Sequence, residues 1–403
     1  MKLAIPVLAL AMIAPLLAKA QTPPADPYIW LEEASSPRAM AWVEAHNKSV
    51  APLEADARYK GFYDIALALA AAKDRIPAPH FLHGDIYNFW QDADHLRGYW
   101  RKTSLADYRA AAPTWTTVLD IDALGKAEGK SWVFKGLDCL QPRERLCLVS
   151  LSDGGEDAVE IREFDLDTGA FVANGFHLPH GKHRAAWEDA NHLLVASEWT
   201  PGEATASGYP FVVKRLTRGQ PLSAAVEVYR GDKADGGYGV SPAVLFDGQD
   251  RKLAFIQRPL DTFRSQTFIL TPKGAERLAM PGKANIEDLV DGRVIVRVDE
   301  DWTVDGHAIA AGSLVGLDLA ATLADPAHPH PKLIWAPTAR ESLGEVSATR
   351  DRLIVTILDN VRGRALALTP TAEGGWTSRP LPLADNLTVG IADADRHSDR
   401  AFI

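Results

Sequence analysis

The chain has 403 residues, 46% apolar and 24% charged, an ordinary globular composition that can bury a sizeable core. It carries 43 basic and 53 acidic residues, for a net charge of −10. No basic stripe interrupts that acidity, which excludes the electrostatic footprint of a nucleic-acid binder.

The first twenty residues read as an export leader. Met1-Lys2 supplies a short basic start, Leu3 to Leu17 is nearly all apolar, and Ala18-Lys19-Ala20 has the small-x-small form of a cleavage site. Cleavage is expected between Ala20 and Gln21, giving a periplasmic or secreted protein. The apolar run is short for a bilayer span and contains Pro6 and Pro15, so no membrane association is expected after cleavage.

Residues 21–76 read as an extended lead-in followed by helices. Ser36 precedes Pro37 as an N-cap precedes a first-turn proline. Ala39, Trp42, Val43, His46 and Val50 then recur at helical spacing, and Pro52 ends or kinks that helix. A second helix is expected from Gly61 through Phe62-Tyr-Asp-Ile-Ala-Leu-Ala-Leu. These two are the only helices the pattern predicts.

From residue 77 onward, strand-length runs alternate with Gly, Asp, Asn and Pro turns. Val159-Glu-Ile-Arg-Glu-Phe164 alternates cleanly, and Asp165-Leu-Asp-Thr-Gly169 reads as a tight turn. A unit recurs in which an Asp-bearing turn feeds a short apolar strand. Trp187-Glu-Asp-Ala-Asn leads into Leu193-Leu-Val-Ala, Asp247-Gly-Gln-Asp-Arg-Lys into Leu253-Ala-Phe-Ile, and Asp291-Gly-Arg into Val294-Ile-Val. Asp351-Arg leads into Leu353-Ile-Val-Thr. Units of roughly 40 to 55 residues fit propeller blades. They begin near His80, Lys130, Lys182, Tyr238, Asn285 and Glu341, with a last start at Asn386. The expected fold is all-β: a seven-bladed-type β-propeller behind a short helical segment, with its last blade incomplete at Ala401-Phe-Ile403. An unfinished blade leaves a strand edge and an apolar face unpaired.

Cys139 and Cys147 flank Gln141-Pro-Arg-Glu-Arg145, which reads as a hairpin tip. They form either a disulfide, if the compartment is oxidising, or two small buried apolar side chains. Their spacing is not that of a metal or redox CxxC pair.

Other motifs carry less. Ser241 in Gly239-Val-Ser-Pro and Ser131 in Gly129-Lys-Ser lack the second glycine of a nucleophile elbow. Gly125-Lys-Ala-Glu-Gly129-Lys-Ser131 is too short for a phosphate loop. His177, His180 and His183 sit on a Pro/Gly loop whose spacing gives no shared face for a metal. Glu156-Asp157 and Asp299-Glu-Asp301 are neighbours along extended chain, and such neighbours point to opposite faces. No catalytic residue, cofactor or metal is expected. Most of the tryptophans, Trp90, Trp100, Trp132, Trp187 and Trp302 among them, are expected to pack blade on blade.

Asp26-Pro-Tyr-Ile-Trp-Leu-Glu-Glu33 followed by Trp42-Val-Glu-Ala-His-Asn47 resembles the opening of the prolyl oligopeptidase family of serine peptidases. Tyr87-Asn-Phe-Trp-Gln-Asp92, Arg97-Gly-Tyr-Trp-Arg-Lys-Thr103, Leu151-Ser-Asp-Gly-Gly155, Arg162-Glu-Phe-Asp165 and Ser207-Gly-Tyr-Pro210 resemble the propeller of its exported bacterial members. His46 departs from the glutamine frequent in the family. The resemblance implies a propeller that caps a following α/β-hydrolase domain and admits only short peptides to it. In the family that second domain supplies the Ser, Asp and His, and the helical segment packs against it. This chain is therefore expected to be the gating part of a peptidase for short peptides, inactive alone and cut short before the hydrolase domain. The alternative is a stand-alone secreted module that binds peptides or a protein partner.

Overall fold

The computed structural model describes residues 26–235 and 237–403. The leader and the Ala20–Gln21 junction lie outside the described residues. The chain divides into two units, one ending at Ala70 and one from Ala71 to Ile403.

The first unit holds helices Pro37–Ser49, Ala51–Glu54 and Ala57–Ala70. The Ser36 Oγ accepts the Ala39 N–H at 3.2 Å, so the expected cap forms. Pro52 does not merely stop the first helix. It sits in the first turn of a short second one, where its missing N–H costs nothing. The last helix starts at Ala57, four residues before the expected Gly61. Its Phe62, Ile65 and Leu69 are exposed.

The second unit is a ring of antiparallel sheets. Six sheets begin at His80, Trp132, Arg184, Ser241, Ala284 and Glu341, close to the six blade starts read from the sequence. Five have four strands in sequence order; blade 2 has a fifth, His177–Gly181, beside its third strand. Blade 5 carries an inserted hairpin, Trp302–Val304 with His307–Ile309. Among the described residues the number of four- or five-stranded sheets is six, not the expected seven. Among the described residues, the sector between blade 6 and blade 1 holds the two-stranded pair Asp393–Ala394 with Ala401–Phe402. The first strands of successive sheets pack on one another from blade 2 to blade 6, and Asp393–Ala394 packs on the first strands of blades 6 and 1. First strands therefore line a common axis.

The second strand of each blade explains the repeating apolar runs. It is sandwiched between two neighbours, so both of its faces are buried and alternation disappears. In blade 3, Leu193 and Val195 join the core shared with blade 2, while Leu194 and Ala196 join the core shared with blade 4. Blade 4 repeats this: Leu253 and Phe255 face blade 5, Ala254 and Ile256 face blade 3. Trp132 and Trp187 lie in these inter-blade cores at 3% exposure each, as expected of blade packing.

The expectation of only two helices is corrected. Leu105–Tyr108, Ile121–Glu128 and Leu319–Ala324 are also helical. Ile121–Glu128 has Asp120 as its N-cap, accepting the Ala123 N–H at 2.9 Å, and Gly129 at φ 65° as its left-handed terminator. The sequence Gly125 to Ser131, too short for a phosphate loop, is thus a helix end. Asp165-Leu-Asp-Thr-Gly169 is the expected turn: Asp165 accepts the Asp167 N–H at 2.9 Å, and Gly169 sits at φ 64°.

Candidate functional site: the axial tunnel

The first strands of blades 1 to 4 and the Asp393–Arg396 segment enclose a cavity of about 670 Å³ on the axis. A second cavity of about 350 Å³ continues it, sharing Gly136, Leu137, Asp138, Ala185 and Pro242. Together they form a tunnel. At one mouth Arg184 donates to the Ser241 Oγ at 2.8 Å. At the other, Arg396 borders the cavity.

Between the mouths the wall is mostly apolar, with Gly136, Leu137, Ala185, Ala186 and Pro242 beside aromatics such as Phe134 and Trp187. Such a wall offers an extended chain little besides shape and a few polar groups. Asp138 is the carboxylate in the middle. Its side chain is open to the cavity, but that cavity lies among the first strands of the blades, where surrounding protein displaces bulk water. The resulting desolvation pushes its carboxyl up to about 6. Asp393 lies nearer the Arg396 mouth. Its Oδ2 accepts the Phe81 N–H at 2.5 Å, and burial raises its pKa although that bond opposes the rise.

The turn between the two strands of the last pair, Asp395 to Arg400, forms the Arg396 mouth. Arg396 donates to the Phe246 carbonyl at 3.0 Å and to Asp288 Oδ1 at 2.7 Å. The His397 Nε2 lies 3.5 Å from Glu144 Oε2. Asp399 accepts the Thr349 hydroxyl at 3.0 Å and the Asp351 N–H at 3.1 Å. Glu144 is 6% exposed and also accepts from the His83 N–H at 2.8 Å.

The cysteines meet across the first two strands of blade 2. Cys139 pairs in register with Cys147, and the Sγ atoms are 1.99 Å apart, at bonding distance. Cys139 borders the tunnel.

The weaker sequence candidates are dispersed. His177, His180 and His183 turn to three different acceptors: Glu160 at 2.9 Å, Glu156 at 2.6 Å and the Pro179 carbonyl at 2.5 Å. Ser131 accepts from Arg97 at 2.7 Å, and Ser241 from Arg184. Asp157 accepts the Tyr209 hydroxyl and Asp301 the Ala311 N–H, both at 2.9 Å. Asp299 accepts from Arg297 at 2.9 Å. Asp138, Asp288, Arg396 and His397 were not singled out from sequence. Only the unusual density of charge in Asp393-Ala-Asp-Arg-His-Ser-Asp-Arg400 marks the last two.

Antiparallel sheets arranged around a lined axial tunnel define a β-propeller. Residues 19–403 match the family model described as prolyl oligopeptidase, N-terminal beta-propeller domain, and the chain belongs to the prolyl oligopeptidase family. It is 41% identical over 394 residues to uncharacterized peptidase y4nA of Sinorhizobium fredii, covering 96% of this chain and 54% of that protein. It also resembles the solved structure of a post-proline cleaving enzyme from Rickettsia typhi, with a TM-score of 0.82 and 27% identity over 91% of this chain and 55% of the other. Oligopeptidase B from Trypanosoma brucei shares the fold, with a TM-score of 0.62 at 15% identity over 90% of this chain and 49% of that one. The chain spans about half the length of the curated relatives it matches.

Proposed function

We propose that this chain is the substrate-gating propeller of a serine peptidase that acts on short peptides, and that by itself it does not hydrolyse them. The observation that carries this reading is the axial cavity lined by the first strands of a propeller belonging to the prolyl oligopeptidase family. A passage of this kind admits an extended peptide and refuses a folded protein. The exposed Phe62, Ile65 and Leu69 fit a helical segment that packs against a second body. The 393–402 pair is read as a seventh, two-stranded sector between blades 6 and 1. Export is part of the same reading, and a bond between Cys139 and Cys147 is of the kind that persists in an oxidising compartment.

The test is to assay the purified chain with a proline-linked chromogenic peptide and a tagged serine-directed phosphonate. No turnover and no label are expected. Turnover that survives purification and is blocked by the phosphonate overturns the reading.

A further inference from the structure

The turn from Asp395 to Arg400 does two different jobs. In a ring of seven sectors, its own sector touches only blades 6 and 1. The bonds from Asp399 to Thr349 and Asp351, and from the Arg350 N–H to the Ser398 carbonyl at 3.1 Å, fasten it to blade 6 and are ordinary neighbour contacts. The Arg396 contacts are not. Phe246 ends the first strand of blade 4, three sectors away across the axis, and Asp288 lies on the first strand of blade 5. In the other direction His397 reaches Glu144, in the first turn of blade 2. The turn therefore bridges the opening in two directions, with Arg396 against the tunnel cavity.

The anchor is built for a cation. Asp288 is 3% exposed. It already accepts the Leu289 N–H at 2.8 Å and the Ala348 N–H at 2.7 Å. The Arg396 guanidinium completes the shell of a buried carboxylate, a charge that is costly to leave uncompensated. Yet no strand ladder depends on this bond. Releasing it moves a side chain and a turn, not a blade.

We propose that residues 395–400 form a strap that closes this mouth of the tunnel to extended peptides, with Arg396 as its fastening and Asp288 as its anchor. That peptides are the molecules refused rests on the function proposed above; the closure itself does not.

The test measures access alone and uses neither peptide nor catalysis, so it fails independently of the peptidase reading. Ala185→Cys places one free thiol on the tunnel wall, the native cysteines being paired with each other. Its modification rate is measured with iodoacetamide and with a bulky dye maleimide, with and without Arg396→Ala. Opening the strap should raise the maleimide rate about tenfold and leave the iodoacetamide rate within about twofold. Asp288→Asn, which keeps the arginine but weakens its anchor, should give a smaller rise in the same direction. An unchanged maleimide rate in both variants overturns the proposal. So does an equal rise for both reagents, which marks general loosening. If Arg396→Ala fails to give a cooperative melt, Arg396→Lys replaces it: the shorter cation should also raise the maleimide rate, and no rise overturns the strap.

Discussion

Phe81 of the first blade stacks on Phe402 of the last strand pair, with ring centroids 4.7 Å apart and planes inclined by 22°. The two residues stand 321 positions apart in the chain, yet their contact joins the first blade of the ring to its last sector. Tyr108 adds an edge to the same ring of Phe402, 5.3 Å away. Five large apolar clusters seal blades 1 to 6 to one another. The join from the last pair to blade 1 rests on far less apolar surface. Phe402→Ala should therefore destabilise the second unit by roughly 2 kcal/mol, read as a lower urea midpoint. Phe263→Ala, at a side chain 77% exposed, should stay within about 0.5 kcal/mol of the parent.

The cysteine pair closes a short loop, with a sequence separation of 8. The unreduced protein should weigh two hydrogens less than the reduced one in intact mass spectrometry. In the chain-entropy view, breaking so small a loop costs about 2.5 kcal/mol. A denaturant midpoint unmoved by reduction contradicts that estimate.

His397 makes stability depend on pH in a defined direction. Its contact with the Glu144 carboxylate raises its pKa above the ordinary value, and burial opposes the rise. Glu144 is desolvated by burial, which raises its pKa, but contacts from His397, the His83 N–H and Gln141 outweigh this and hold it low. A histidine raised in the folded state contributes stability in full below its unfolded pKa and loses it as pH rises through the folded value. The stability difference between the parent and His397→Gln should thus be largest below about pH 6 and shrink toward pH 8. A difference that grows with pH contradicts the pairing.

Asp138 also makes stability fall as pH rises, but as a cost of ionising it and not as the loss of a favourable pair. Its carboxyl is pushed up to about 6 by desolvation in the tunnel, so the folded state holds the proton more tightly than the unfolded chain. Ionisation then weighs against folding, increasingly as pH rises through that value. Asp138→Asn should raise the melting temperature at about pH 8 and change it little at about pH 4. Equal shifts at both values would show that the side chain is fully hydrated.

Much of the ring is legible along the chain. Turns such as Asp165 to Gly169 are made by a side chain bonding its own next few amides, and a residue pattern states such short-range chemistry directly. Runs such as Leu193-Leu-Val-Ala show no alternation because both faces of a sandwiched strand are dry; their recurrence after Asp-bearing turns, at a blade-like period, is what the sequence states. The helix Ile121–Glu128 was missed although Asp120 and Gly129 bracket it. It is short, and the run from Gly125 to Ser131 looked like loop chemistry.

The tunnel and its closure lay beyond that reach. Local bonding preferences and burial pattern sufficed for the blade boundaries and the cap at Ser36, but left the pairing of Cys139 with Cys147 open. None of them brings Arg396 to Asp288, 108 positions earlier, or to the Phe246 carbonyl, 150 positions earlier. Those meetings, and the enclosure that raises Asp138, exist only once the sheets have curved around a shared axis. Strand pairing and turn chemistry act between neighbours and are written in neighbouring residues, whereas an axis is a property of the whole ring, set by the summed twist and packing of all its sheets.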